Sequence, residues 1–286
     1  MIAILGTRKN ISYGFEETKT EMTINGGGDS LSWGHNGRCN LNASNLVLPK
    51  ESTFSCVLSF TVTGRRNIRG YRFPSTTNRS ERKTVEKILR TAITASSYGG
   101  NYLIGKDITP EILTPTSEVG SEIFTKDWPH HRLLFTNVVG NINMIVNHID
   151  HLYVKVSGAK GEFDVKNILN LYGEAMNGVE KELNERGHSY VHDDTFGYHT
   201  SHPHNLGTAM VAIVEMYLPN LIQKSLAAIL ERLGLIHTVT KGSIEGVCEI
   251  SHKHRMNCSE VEQVQTLIDG VQVNFIKNKK CYNLQY

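Results

Sequence analysis

Ser55-Cys56-Val57-Leu58-Ser59-Phe60-Thr61-Val62-Thr63 is rich in β-formers and alternates in character, a period of two that reads as a β-strand. Downstream, Asn78-Arg79-Ser80-Glu81 opens a helix that runs through about Ala95, with Val85, Ile88 and Leu89 on one face. A strand followed by an amphipathic helix implies a sheet covered by helices, and the rest of the chain can be read outward from that pair.

Ile142 to Val156 reads as a strand pair or one long strand, with Met144, Val146, Leu152, Val154 and Val156 set among polar residues. The clearest helix begins after Asp164, a good N-cap, and ends before Gly187, a good residue to follow a helix. Its apolar positions Ile168, Tyr172, Met176, Val179 and Leu183 recur at three and four, so one face packs on a sheet. Further helices are expected from about Leu221 to Leu233 and from Ser259 to about Asn274. Strands and helices lack a strict βαβ rhythm, which favours an α+β fold over a doubly wound sheet. Residues 1–34 are polar and interrupted by Gly26-Gly27-Gly28, which no GKS/T follows, so they read as an arm and residues 35–286 as the main domain.

The 286 residues, 39% of them hydrophobic, suffice for one large core. A formal charge of +2 gives no general electrostatic case for nucleic acid or an anionic membrane as partner. The apolar start Met1-Ile2-Ala3-Ile4-Leu5 is too short for a signal-peptide core or a membrane span, so the expected location is the cytoplasm. Cys39, Cys56, Cys248, Cys258 and Cys281 are odd in number with no CxxC pair, which fits reduced thiols. Thirteen histidines are the unusual count.

Several strings then occur in a telling order. They are Arg66-Asn67-Ile68-Arg69-Gly70-Tyr71 leading into Ser80-Glu81-Arg82-Lys83-Thr84-Val85-Glu86-Lys87, the Asp127-Trp128-Pro129 turn, and Asn147 with Asp150-His151-Leu152. Asn205-Leu206-Gly207-Thr208 and Ser259-Glu260-Val261-Glu262-Gln263-Val264-Gln265 with Asp269-Gly270-Val271 follow. Together they resemble the guanidino (phosphagen) kinase family, creatine kinases most closely, over roughly residues 35 to 280. The resemblance implies the family's glutamine-synthetase-like catalytic domain, an antiparallel sheet flanked by helices. It also implies that the family's small helical N-terminal domain has no counterpart here. The loop from Thr238 to Gly246, which in the family folds over the substrates, is shorter than usual.

Phosphoryl transfer between ADP and a guanidine needs positive charge clamped on the phosphates, a carboxylate to orient and deprotonate the guanidinium, and exclusion of water. Laid on the family pattern, the two clamp arginines of the S-x-R-x-R strand fall on Thr61 and Thr63, and the others on Tyr153, Val211 and a position near Thr238. Several charge-assisted hydrogen bonds worth about 1.5 to 3 kcal/mol each would be missing. The paired glutamates of N-E-E-D-H become His148 and Ile149, which removes the base. The reactive cysteine becomes His202, and the adenine-side histidines become Asn101 and Glu215. Of the nucleotide-contacting set, Arg255 is retained.

The expectation is therefore a pseudoenzyme with a structural or scaffolding role, no cofactor, and protein partners in an axonemal or other cytoskeletal assembly, including a cilium or flagellum. Two alternatives stay open: a residual phosphotransferase or weak Mg-ADP/ATP sensor using Arg255, and a zinc site built from His148, His202 and His204, with His199 or His151 nearby. Trp128 reads either as an interface residue of a homodimer, as the resemblance implies, or as a core tryptophan. Arg65, Arg66, Arg69 and Arg72 read as a solvated strand end or as a contact for an acidic partner.

Overall fold

The computed structural model describes residues 41, 43–48, 55–96, 98–104, 107–108, 130–158, 164–219, 223–239 and 246–283, all inside the compact unit Trp33–Tyr286. The N-terminal arm, the Asp127-Trp128-Pro129 turn and residues 240–245 of the shortened loop lie outside the described residues.

One antiparallel sheet of eight strands organises the domain. In chain order its strands are β1 (Val57–Arg66), β2 (Gly100–Ile104), β3 (Leu133–Asn137), β4 (Ile142–Val146), β5 (Leu152–Ser157), β8 (Met210–Tyr217), β9 (Leu235–Thr238) and β10 (Val247–His252). Their spatial order is β2-β3-β4-β5-β1-β8-β10-β9, which puts the strand read first from sequence in the interior of the sheet. A two-stranded ribbon of β6 (His192–Asp193) and β7 (Gly197–Tyr198) stands apart. The helices are α1 (Arg79–Ala95), α2 (Val165–Glu185), α3 (Gln223–Arg232) and α4 (Glu260–Asn283). The α+β expectation is met. No helix among the described residues is long and apolar enough to cross a membrane.

The local signals act as physics requires. At the start of α1 the Asn78 side chain accepts from the Glu81 N–H while the Glu81 carboxylate accepts from the Asn78 N–H, a reciprocal capping box. Asp164 caps α2 by accepting from the Asn167 N–H at 3.0 Å, and Gly187 follows that helix at φ +76°. The 142–156 segment is a strand pair, β4 and β5, whose register runs from Ile142 opposite Val156 to Val146 opposite Leu152. The final helix runs past the expected Asn274 to Asn283.

The core lies between one sheet face and the helices. Phe60 and Val62 of β1 meet Val85 and Leu89 of α1, Leu169, Tyr172 and Val179 of α2, and Val264 and Leu267 of α4. Because side chains alternate across a strand, Thr61, Thr63 and Arg65 point to the opposite face. The candidate site is built on that face.

Candidate functional site

Strand register gathers four of the residues singled out from sequence. Thr63 of β1 lies between Lys155 of β5 and Val211 of β8, Thr61 lies between Ser157 and Ile213, and Arg65 is opposite Tyr153. Adjacent strands are about 4.8 Å apart, so Thr61, Thr63, Tyr153 and Val211 form one patch. The two threonine hydroxyls are turned to their own sheet: Thr61 Oγ1 donates to Ser157 Oγ at 3.3 Å and Thr63 Oγ1 to the Val211 carbonyl at 3.4 Å. Thr238 sits on edge strand β9, exposed and opposite Glu249, while Asn101 sits exposed on edge strand β2. Glu215 on β8 accepts from Ser59 Oγ at 3.1 Å.

The turn from β4 to β5 carries His148 and Ile149, and a polar network holds it in place. Asn147 adopts φ +56° and its N–H donates to the His151 carbonyl at 2.8 Å. The Asn147 amide donates to the Arg82 and His131 carbonyls, and Arg132 donates to the Asn147 carbonyl. Asp150 Oδ1 accepts from Asn67 Nδ2 and from the Ser201 N–H, both at 2.7 Å, and Ser201 Oγ donates to the Ile149 carbonyl at 2.7 Å. Asp150 and His151 are thus part of a buried polar network.

This turn delivers apolar groups to the place where the resemblance puts a base. Ile149 is fully buried in a second, smaller cluster with Ile108, Leu134, Ile145 and Tyr153. The His148 ring stacks on Tyr153 with centroids 5.1 Å apart, and the Arg65 guanidinium carbon lies 5.0 Å from the same phenol centroid. Burial first, then the positive charges of Arg65 and Arg132, push the His148 pKa well below its ordinary value, so its imidazole is neutral. His148, 1% exposed, and the fully buried Ile149 thus stand where the resemblance puts the paired glutamates.

Two expectations need correction. His148, His202 and His204 do not form a ligand set, and among the described residues no three His, Cys, Asp or Glu side chains converge to hold a metal ion. His148 is committed to the Tyr153 stack, whereas His202 and His204 stack on each other with centroids 5.3 Å apart. His199 is paired with Asp193 in the β6–β7 ribbon, and His151 uses both ring nitrogens internally. The basic run is not a solvated strand end as a whole either. Arg69 and Arg72 are exposed, but Arg65 and Arg66 are buried because β1 stays paired with β5 through Arg66 opposite Leu152. Arg66 donates to the carbonyls of Arg65 and Thr208 and lies over the Tyr198 ring.

Arg65 is the residue that sequence reasoning misplaced. The signal was present: a period of two puts Arg65 on the same face as Thr61 and Thr63. Arg255, retained from the family pattern, is also buried, and its Nη1 donates to the His204 carbonyl at 3.0 Å. Gly207 permits that arrangement. At φ +106° it brings its backbone so close that a Cβ there would lie 2.0 Å from the Arg255 carbonyl oxygen. The Thr208 N–H donates to that same oxygen at 3.1 Å.

Comparison with known proteins agrees with this architecture. The family profile described as ATP:guanido phosphotransferase, C-terminal catalytic domain, matches residues 53–280. Creatine kinase M-type of Gallus gallus is 30% identical over 269 aligned residues, which cover 85% of this chain and 68% of that enzyme. The flagellar creatine kinase of Strongylocentrotus purpuratus is 28% identical over 260 residues, covering 82% of this chain and 21% of that protein. Among solved structures, a lombricine kinase superposes with a TM-score of 0.72 at 28% identity, covering 85% of this chain and 71% of the other.

Proposed function

Since the chain belongs to the ATP:guanido phosphotransferase family through its C-terminal catalytic domain, we propose that it is a catalytically inactive member with a structural or scaffolding role in a protein assembly. The observation that carries this reading is Ile149, at the base position and fully buried among Ile108, Leu134, Ile145 and Tyr153. That corner has lost its base and has also been packed with apolar side chains. The clamp positions support the same reading, because Thr61 and Thr63 carry no charge and their hydroxyls donate to Ser157 and to the Val211 carbonyl. Refilling a charged cleft with apolar contacts favours a stable fold over turnover, since a buried, uncompensated carboxylate or guanidinium would be costly.

The partners proposed are proteins, with a second copy of the chain among them, and the setting is a cytoplasmic assembly such as an axoneme. The similarity to a flagellar creatine kinase supports that setting. Neither metal nor cofactor is required for such a role.

A second reading, weak binding of Mg-ADP or Mg-ATP without turnover, is favoured by the retention of Arg255 beside Thr208. The deciding experiment is a coupled phosphotransfer assay with MgADP and phosphocreatine, repeated with other phosphorylated guanidines, alongside calorimetry with MgADP. No turnover is expected. Phosphotransfer at a rate proportional to protein concentration would overturn the proposal, and MgADP binding without turnover would select the second reading. Co-fractionation of the native protein with a defined multiprotein complex is the outcome expected for a scaffold, and its elution as a lone monomer would count against that role.

A further inference from the structure

Strand β2 forms one rim of the eight-stranded sheet, and among the described residues no strand lies beyond it. On its inner side it pairs with β3 without a register shift, from Gly100 opposite Asn137 to Ile104 opposite Leu133. A straight edge of this kind turns every second residue's N–H and C=O outward, and proteins ordinarily blunt it with a charge, a proline or a bulge. Gly100-Asn101-Tyr102-Leu103-Ile104 has no charge and no proline. Leu103 and Ile104 are instead 39% and 43% exposed, and the neighbouring β3–β4 turn carries Val138 and Val139 almost wholly exposed. Apolar side chains gathered at a bare strand edge mark an interaction surface.

The phase of the ladder decides which backbone groups are available. The Val138 N–H donates to the Gly99 carbonyl at 3.0 Å, so Gly99, and with it Asn101 and Leu103 at steps of two, turn toward β3. Gly100, Tyr102 and Ile104 therefore point their N–H and C=O groups outward. The strand is held firm behind that edge: the Tyr102 hydroxyl shares a hydrogen bond of 2.9 Å with Thr94 Oγ1 of α1, and its ring meets Phe135 with centroids 5.1 Å apart. The outward set is its own complement. Turned by a two-fold axis through Tyr102, an antiparallel copy places Ile104 opposite Gly100, Tyr102 opposite Tyr102 and Gly100 opposite Ile104. Each pair then exchanges N–H···O bonds in both directions. Leu103 falls beside Asn101 and Ile104 beside a glycine, so neither like charges nor two branched side chains face each other.

We propose that this edge is an interface between two copies of the chain, the β2 strands pairing antiparallel about a two-fold axis at Tyr102 so that one sheet runs through both. A second copy is the occupant because the register closes on itself. Pairing of β2 with the far edge, β9, would be head-to-tail and would propagate into filaments. The strand is short, so the buried area falls in the class of weak encounters, below about 1,200 Å², and the dimer is expected to form at roughly 1 to 100 μM protein. The inference rests on the reading that a second copy is among the partners, to which it gives a surface, and it is indifferent to turnover.

The test is sedimentation equilibrium of the full chain up to about 100 μM, with amide hydrogen exchange read residue by residue by NMR at low and high concentration. A reversible monomer–dimer equilibrium is expected. Exchange at Tyr102 and Ile104 should slow about tenfold or more in the dimer, while Asn101 and Leu103, already bonded to β3, change little. Ile104→Pro removes an outward N–H and Ile104→Lys adds a charge, and each should weaken the dimer about tenfold or more, since Ile104 ends an edge strand. If Ile104→Pro does not fold, Ile104→Lys and the wild-type exchange pattern still decide. Ile236→Lys, at an exposed position of β9, is the control and should leave association unchanged. A chain that stays monomeric, a dimer equally strong in Ile104→Lys, or association lost in Ile236→Lys overturns the interface. So does protection of Tyr102 and Ile104 that appears only with another protein bound, which assigns the edge to a different partner. A persistent monomer would strike the second copy from the proposed partners, whereas turnover in the phosphotransfer assay would refute inactivity and leave this edge standing.

Discussion

Acid should weaken this protein through His151, and the size of the effect can be worked from its surroundings. Its Nδ1 accepts from the Ile68 N–H at 3.0 Å, so the ring proton sits on Nε2, which donates to the Arg72 carbonyl at 3.0 Å. A second proton would have to enter at Nδ1, break the Ile68 bond and place a charge at a fully buried site. Burial is the largest cause that pushes the pKa from 6.5 down to about 4, against the opposing effects of the Arg72 carbonyl and the Asp150 charge. The unfolded chain thus binds the proton more readily between those two values. Stability from this group is complete above pH 6.5 and is lost as the pH falls toward 4. The full loss is about 3 kcal/mol, of which about 2.5 kcal/mol is felt by pH 4.5. His148 shifts in the same direction and adds to it. Urea unfolding of the wild type and of His151→Gln from pH 7 to 4.5 measures the contribution as the change in their difference. A difference that stays flat over that range, or an imidazole proton resonance of His151 that titrates near 6.5, would refute the reasoning.

Three further outcomes follow from the packing. Gly207→Ala should destabilise the fold by about 2 to 4 kcal/mol, because φ is +106° and the new Cβ would meet the Arg255 carbonyl, and a drop in the urea midpoint checks it. Asn78→Ala removes the reciprocal cap of α1 and should cost about 1 kcal/mol by the same measurement, while Ser80→Ala on the exposed first turn should cost far less. The double variant Thr61→Arg with Thr63→Arg should not restore phosphotransfer, because Ile149 and Tyr153 still occupy the base corner; measurable turnover in the coupled assay would show that charge loss alone had silenced the site.

The family and the fold class were legible in the chain alone, because they depend on local order. The alternation from Ser55 to Thr63, the Asn78 and Glu81 cap, and the Asp164 start and Gly187 stop of the long helix are short-range signals read within a few residues. What surrounds the candidate site residues was decided elsewhere. Strand register, set by residues far apart in the chain, put Arg65 beside Tyr153 and buried it, although a charged run looks like surface in one dimension. The same register committed His148 to Tyr153 and Ile149 to an apolar cluster, which separated the histidines that sequence had grouped by kinship and proximity. Burial, pKa and the availability of a side chain depend on which strands become neighbours. Composition and periodicity specify a face, while only the folded sheet specifies what that face meets.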